Sequence, residues 1–374
     1  MLANVAQNHI ISQSAKPSMS KPDHLPTYCN AKTPKCLVKS LYNQKFSSLN
    51  LVMKVFRGLP NAASRAPCAL AIGNFDGVHL GHQVLLSHLH SAATRLQLDA
   101  AVMSFEPHPR AFFAQLSGDI SRAPTRIANL RDNLAALTQA GVDRVIVEHF
   151  NAHFAALSPE EFIKTILVEG LHVKWLMVGD DFRFGAKRAG DIHTLIAAGQ
   201  RYGFEVQTLA TVLRNGVRIS SSAVRAALSA GDLSEANNLL GRPYQISGHV
   251  VHGQKLGRTL GFPTLNLRIA HHRPAVLGIY VVQVHGLTDT ALPAVASLGA
   301  RPTVDDSGRI LLEVHLLDQN LHAYGKIVQV EFLEKLRDEE KYTDLDTLTQ
   351  AIQNDVDQAR RYFRNRASSA TDRI

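Results

Sequence analysis

Arginine is missing from the first 52 residues of this 374-residue chain, although that stretch carries Lys16, Lys21, Lys32, Lys35, Lys39 and Lys45 against one acid, Asp23. A mitochondrial presequence would be amphipathic and arginine-rich, and a secretory signal would need a continuous apolar core; the stretch has neither. Rich in Ser, Asn, Gln, Lys and Pro without apolar periodicity, residues 1–52 read as a flexible extension. Met53-Lys-Val-Phe-Arg-Gly-Leu reads as a fresh start, so Met53 is expected to be the physiological initiator. Cysteine is scarce as well. Cys29, Cys36 and Cys68 are odd in number and lack metal-ligand spacing, which points to a reduced, cytoplasmic setting. No apolar run approaches the roughly 20 residues a membrane span requires, so no membrane partner is expected. The net charge of +8 falls to +3 once the +5 of residues 1–52 is set aside. That is too little for a basic nucleic-acid groove, yet it suits polyphosphate ligands.

Apolar residues, at 45% against 19% charged, supply ample core, and the length makes two domains the default. From Met53 to about residue 235, short apolar runs alternate with helical patterns. The runs are Cys68–Ile72, Ala100–Phe105, Arg144–Glu148, Trp175–Val178 and Phe204–Leu209. The helical stretches are Val84–Leu98, Thr125–Ala140, Pro159–Glu169 and Asp191–Tyr202. Leu85, Leu89, Ala92 and Leu96 form one stripe, and Ile127, Leu130, Leu134 and Leu137 another, both read as faces packed on a sheet. This alternation predicts a doubly wound, Rossmann-like parallel-sheet α/β domain over 53–240, with ligands at the carboxyl ends of its strands. Gly241-Arg-Pro terminates the last helix. Beyond it, Ile246–Val251, Thr264–Ile269, Gly278–His285, Ala291–Leu298, Ile310–Leu317 and Lys326–Leu333 predict a small six-stranded antiparallel β-barrel. A C-terminal helix over Asp346–Phe363, with Leu348, Ile352 and Val356 on one face, completes a second domain over 241–366, ahead of a flexible tail at 367–374.

The polar clusters fall where such a fold binds ligands. Gly73-Asn-Phe-Asp-Gly-Val-His-Leu-Gly-His-Gln83 follows the first run and enters a helix, a way of presenting backbone N–H groups and a positive dipole end to phosphate. His79 and His82 stand where that helix begins and can donate to phosphate oxygens. Glu106-Pro-His-Pro-Arg110, Gly179-Asp-Asp-Phe-Arg-Phe-Gly185 and Arg218-Ile-Ser-Ser-Ser-Ala-Val-Arg225 follow later runs. The serines are either a phosphate grip completed by Arg225 or an ordinary helix cap. His108 is either a wall of the site or a surface residue. In the second domain, Gly253-Gln-Lys-Leu-Gly-Arg-Thr-Leu-Gly-Phe-Pro-Thr-Leu-Asn combines three glycines and two basic residues with neutral oxygens for a hard cation.

In this order and spacing, these motifs resemble the bacterial bifunctional riboflavin kinase/FAD synthetases over essentially all of 53–360. The resemblance implies an N-terminal FMN adenylyltransferase that moves AMP from ATP to FMN, giving FAD and pyrophosphate, and a C-terminal riboflavin kinase. It implies that His79 and His82 stabilise the ATP phosphates, with Gly73, Phe75, Arg218, Ser221, Ser222 and Arg225 around the polyphosphate and Asp181 near the adenosine. The flavin ring would lie against Glu106, Pro107, His108 and Pro109. In the kinase half it implies phosphate binding by Gly253, Gly257, Arg258 and Gly261, Mg²⁺ on Thr264 and Asn266, and Glu313 as the base for the riboflavin 5′-hydroxyl. Read from the residues alone, Glu313 would be the polar member of an alternating strand. The chain departs from the family at Ser222, Leu265, Ser297 and Ala323, none of which removes a proposed catalytic group. The implied ligands are ATP at two sites, Mg²⁺, riboflavin, FMN and FAD, with no nucleic-acid partner and a monomer or weak homo-oligomer. Two other readings are a flavin-binding regulator without catalysis and a nucleotidyltransferase for another acceptor. The first is opposed by both histidines and Glu313, the second by the lack of aromatic residues interleaved on a basic barrel face.

Overall fold

Two hydrogen-bonding patterns divide the computed structural model, which describes residues 53–253, 256–269, 273–299, 311–319 and 321–371. Strands β1 (Lys54–Arg57), β2 (Cys68–Ile72), β3 (Asp99–Glu106), β4 (Arg144–His149), β5 (Val173–Gly179) and β6 (Glu205–Leu209) form a parallel sheet in the order β1-β4-β3-β2-β5-β6. The order reverses between β2 and β5, so the crevice beyond their carboxyl ends is where ligands of such sheets bind. All five residues of β2 are buried, as a strand covered on both faces requires.

Helix Leu80–Leu96 buries Leu85, Leu89 and Ala92 against this sheet, with Leu96 partly buried beside them. Full burial of a leucine is worth about 1.5–3 kcal/mol, so this stripe alone fixes the helix on its layer. The second stripe is split. The helix begins at Leu130 rather than Thr125, and Ile127 joins a different apolar cluster, with barrel residues such as Ile246 and Val250. The reason is local. Asp76 takes the N–H groups of Ile127 (3.2 Å) and Ala128 (3.2 Å), and Asn129 caps the helix by accepting from Asp132 N. Pro159–Glu169 is also not one α-helix: after Pro159–Glu161 the chain runs as a π-helix over Phe162–Val168, burying Phe162, Ile163, Ile166 and Leu167. Three strands escape the periodicity altogether. β1 is mostly exposed, and β7 (Leu213–Arg214) and β8 (Val217–Arg218) form a hairpin around Asn215-Gly216, whose φ angles are 50° and 79°. That Asn-Gly pair was the available signal for the hairpin.

Strands β9 (Gln245–Val251), β10 (Leu265–Arg268), β11 (Gly278–His285), β12 (Leu292–Gly299), β13 (Leu311–Leu316) and β14 (Ile327–Arg337) close an antiparallel barrel in the order β10-β13-β12-β11-β14-β9. Inward residues such as Leu267, Val282, Ala296, Leu312 and Val330 form its buried core. The C-terminal helix runs over Leu345–Thr371, past the expected start of a flexible tail at residue 367. Val356 and Ala359 pack on the barrel's outer residues Ile279, Val281 and Val295, and Arg337 grips the buried Asp355 at 2.9 and 2.7 Å. The extension 1–52, Gln254, Lys255, Ala300–Thr303, Ile310 and residues 372–374 lie outside the described residues.

Candidate functional site

The loop after β2 is built around Asp76, a carboxylate only 1% exposed. Besides the two backbone N–H groups above, it receives Arg225 Nη2 at 2.7 Å and stands 3.7 Å from Arg126 Nε. A buried charge is tolerable only with such pairing. Ser221 Oγ donates to the Asp76 carbonyl at 3.4 Å, and Arg225 Nε donates to the Thr125 carbonyl at 2.6 Å. The serine helix, Ser221–Ala230, is thereby fastened to the histidine turn, with Ser220 as its cap and Ser222 exposed in its first turn.

His79 caps the histidine helix: its Nδ1 accepts from His82 N at 3.3 Å, which leaves the proton on Nε2. The His79 and His82 rings stack with centroids 3.7 Å apart and planes 15° apart. His82 Nδ1 is buried with no hydrogen-bond partner among the described residues. Burial, followed by the Arg225 charge, lowers the His79 pKa to about 4; burial and His79 itself push His82 well below 6.5. Both rings are therefore neutral donors near neutral pH, and an arriving polyphosphate would raise both pKa values. Phe75 is 1% exposed with its ring tilted against His82 at 5.1 Å, so this residue and Gly73 offer backbone rather than ring to a ligand.

The Glu106 cluster joins the same network. Arg126 donates to both Glu106 oxygens at 3.3 and 3.1 Å while facing Asp76, so one guanidinium links the expected flavin wall to the histidine turn. The bond before Pro107 is cis. His108, 6% exposed, caps helix Pro109–Leu116 through Arg110 N at 3.1 Å, and burial lowers its pKa to about 4. It is thus a buried residue, not a surface one. A pocket of about 330 Å³, surrounding open space included, lies against Asn74, Phe75, Ser104, Phe105, Glu106 and Arg126. Asp181 and Arg218 pair at 2.8 Å in an exposed setting, 69% and 54% accessible, where an incoming ligand can part them at little cost. Asp76 and Arg126 were not singled out from sequence. The signal for Asp76 was a single acid within the glycine- and histidine-bearing stretch Gly73–Gln83.

In the barrel, Asn266 on β10 and Ser297 on β12 flank Glu313 on β13 in direct register. The three share the outer face, because Leu267, Leu298, Leu312 and Val314 take the inner one. Leu265 also packs toward the interior, so its size does not crowd Asn266. Asn266 is 7% exposed, its Nδ2 lies 3.4 Å from the Thr264 carbonyl, and Gly253 approaches so closely that a Cβ there would sit 2.4 Å from Nδ2. Gly257 and Arg258 lie in the short helix Leu256–Thr259, and Gly261 follows with φ +89°. His315, two residues beyond Glu313, holds the Pro263 carbonyl at 2.9 Å and so fixes the approach to Thr264. The donor set of hydroxyl, amide oxygen and nearby carboxylate suits a hard cation such as Mg²⁺. Among the described residues no group of three or more His, Cys, Asp or Glu could hold a metal ion.

Comparison with known proteins agrees with both halves. The FAD synthetase family matches residues 61–223, and the riboflavin kinase family matches residues 240–363. The bifunctional riboflavin kinase/FMN adenylyltransferase of Escherichia coli (strain K12) is 47% identical over 314 residues, covering 83% of this chain and 98% of the relative. The protein of the same description from Haemophilus influenzae is 46% identical over 312 residues, covering 83% of this chain and 99% of its own. Among solved structures, one described as a macrolide-efflux protein from Streptococcus pneumoniae is 28% identical with a TM-score of 0.63, covering 83% of this chain and 99% of that one; the likeness there is taken as one of fold. With matches to both family halves and near-half identity along the full length of its relatives, the chain belongs to the bifunctional riboflavin kinase/FMN adenylyltransferase family.

Proposed function

We propose that the two reactions of this transferase are divided between the Asp76-centred site and the Glu313 row, and assign the residues accordingly. Residues 53–240 carry adenylyl transfer and residues 241–366 the kinase. The observation that carries the assignment is that Asp76, Arg126 and Arg225 gather the histidine turn, the serine helix and Glu106 into one network.

In adenylyl transfer, a phosphate oxygen of FMN attacks the α-phosphorus of ATP and pyrophosphate leaves, so no side chain need act as a nucleophile. His79 Nε2–H and His82 donate to the polyphosphate as charge shifts onto the leaving group, and Ser221, Ser222 and Arg225 hold the same phosphates. Asp181, with Arg218, faces the adenosine; Glu106, Pro107, His108 and Pro109 border the flavin. In the kinase half, the riboflavin 5′-hydroxyl oxygen attacks the γ-phosphorus, its proton passes to Glu313, and ADP leaves. Gly253, Gly257, Arg258 and Gly261 line the phosphate path. Thr264 and Asn266 would hold Mg²⁺, which when bound neutralises phosphate charge. The enzyme acts in the cytoplasm as a monomer or weak homo-oligomer, without nucleic-acid or membrane partners.

The test is to follow FMN and FAD chromatographically as the protein is incubated with riboflavin, ATP and Mg²⁺, alongside His82→Ala and Glu313→Gln. Loss of FAD alone in the first and of FMN formation in the second supports the assignment; the reverse pattern removes it.

A further inference from the structure

Two arginines of the C-terminal half reach the loops of the adenylyl-transfer site. Arg242 donates Nη2–H to the Gly77 carbonyl at 2.6 Å and Nη1–H to the carbonyls of Val78 at 3.0 Å and Leu240 at 3.4 Å. Gln83 donates to the same Val78 and Leu240 oxygens at 3.0 and 2.8 Å. The turn immediately before His79 is therefore tied to the exit of helix Leu233–Leu240, where the chain passes into the barrel. Close approach is built in at Gly241, where a Cβ would meet Leu80 Cδ2 at 2.5 Å.

Arg273, in the segment between β10 and β11, performs the corresponding task on the segment 120–126, which ends at Arg126. Its guanidinium donates to the carbonyls of Ile120, of Ser121 at 3.1 Å and of Ala123 at 2.7 Å. Beside it the backbones of the two halves pair: Arg126 N donates to the Arg273 carbonyl at 2.6 Å, and Ala275 N donates to the Arg126 carbonyl at 2.9 Å. Arg126 is the residue whose side chain holds Glu106 and faces Asp76. The oxygens in these bonds are main-chain carbonyls, so these contacts act on loop geometry. Positional errors of about 1 Å at a transfer site are enough to cost about a hundredfold in rate.

We propose that Arg242 and Arg273 are positioning residues for adenylyl transfer, so that the FAD-forming site is completed by the half of the chain that carries riboflavin kinase. The proposal rests on the assignment of His79 and His82 to that site. Its test is steady-state kinetics of both reactions in the full-length protein for Arg242→Ala, Arg242→Lys, Arg273→Ala and Arg273→Lys, with His82→Ala as reference. The alanine variants are expected to lower kcat for FAD formation about 10- to 100-fold with KM for ATP and FMN within about threefold, while riboflavin phosphorylation persists. Arg242→Lys should recover part of the rate, since an ammonium can reach one of the carbonyls. Unchanged kcat for FAD formation in both alanine variants, with His82→Ala inactive, overturns the proposal and leaves the histidine assignment standing. Retention of FAD formation by His82→Ala overturns both. A rise in KM alone overturns a positioning role. If an alanine variant loses the kinase as well, the lysine variants decide: FAD formation reduced relative to riboflavin phosphorylation in the same sample supports the proposal, and equal loss of the two overturns it.

Discussion

Asp76 Oδ2 and Arg225 Nη2 lie 2.7 Å apart although they stand 149 positions apart in the chain. One buried ion pair thus joins the turn that carries the histidines to the helix that carries the serines, the two segments proposed to hold the polyphosphate.

Replacing Asp76 by Asn should be more damaging than its neutral shape suggests. Removing one partner of a buried pair leaves Arg225 and Arg126 uncompensated, at a cost of about 3–5 kcal/mol where no rearrangement relieves it. FAD formation should be lost and the thermal midpoint lowered, with riboflavin phosphorylation persisting below the new midpoint. Differential scanning fluorimetry with the two activity assays checks this, and a variant with full FAD formation contradicts it.

The Glu313 row and the Asp76 network share no residue, so the two reactions should be separable. Glu313→Gln should remove riboflavin phosphorylation by at least about a hundredfold, within the range for a lost general base, and leave FMN adenylylation nearly unchanged. His82→Ala should do the reverse, with FMN accumulating from riboflavin. Chromatography of the flavins distinguishes the two patterns.

Stability should fall on mild acidification. His79 and His108 titrate at about 4 in the folded protein, and His82 well below 6.5. Unfolded, each would take up its proton near 6.5, so between about 4 and 6.5 the unfolded chain binds more protons than the folded one. The contribution is complete above 6.5 and is lost as pH drops through that window, on the order of 3 kcal/mol each for His79 and His108. Denaturant midpoints at pH 7.5 and 5 should differ accordingly, and His108→Gln should flatten the dependence. ATP binding, by raising the histidine pKa values, should take up protons, measurable by calorimetry in buffers of different ionisation enthalpy.

Gly253→Ala should impair the kinase selectively. The added methyl would have to occupy space 2.4 to 2.7 Å from the Asn266 amide, so the amide would be displaced from its place beside Glu313. A rise in KM for ATP·Mg²⁺ with unchanged FAD formation from FMN is the expected outcome; unaltered kinase kinetics would falsify the role given to this contact.

The strands of both halves were readable because burial on two faces, or on alternating sides, leaves a periodic trace. β2 and β11 fall where the apolar runs lie, whereas β1 is an exposed edge and leaves no trace. Ile127 follows the helical period of Leu130, Leu134 and Leu137, yet it lies outside their helix because Asp76 binds its N–H. That hydrogen bond is long-range, and no local pattern encodes it. The same holds for Arg126, whose partners come from two other loops and the barrel. The histidines, serines and Glu313 were legible through resemblance of whole motifs; the charges that assemble them were not.

The outer row of Asn266, Glu313 and Ser297 has a consequence for how this half can vary. These groups meet only because β10, β12 and β13 are aligned residue for residue, with alternate positions committed to the interior. A single inserted residue ahead of Glu313 in β13 would turn its carboxylate inward and a leucine outward, breaking up the proposed kinase row and spoiling the core in the same event. Substitution can tune this site gradually, but insertion or deletion within its strands cannot.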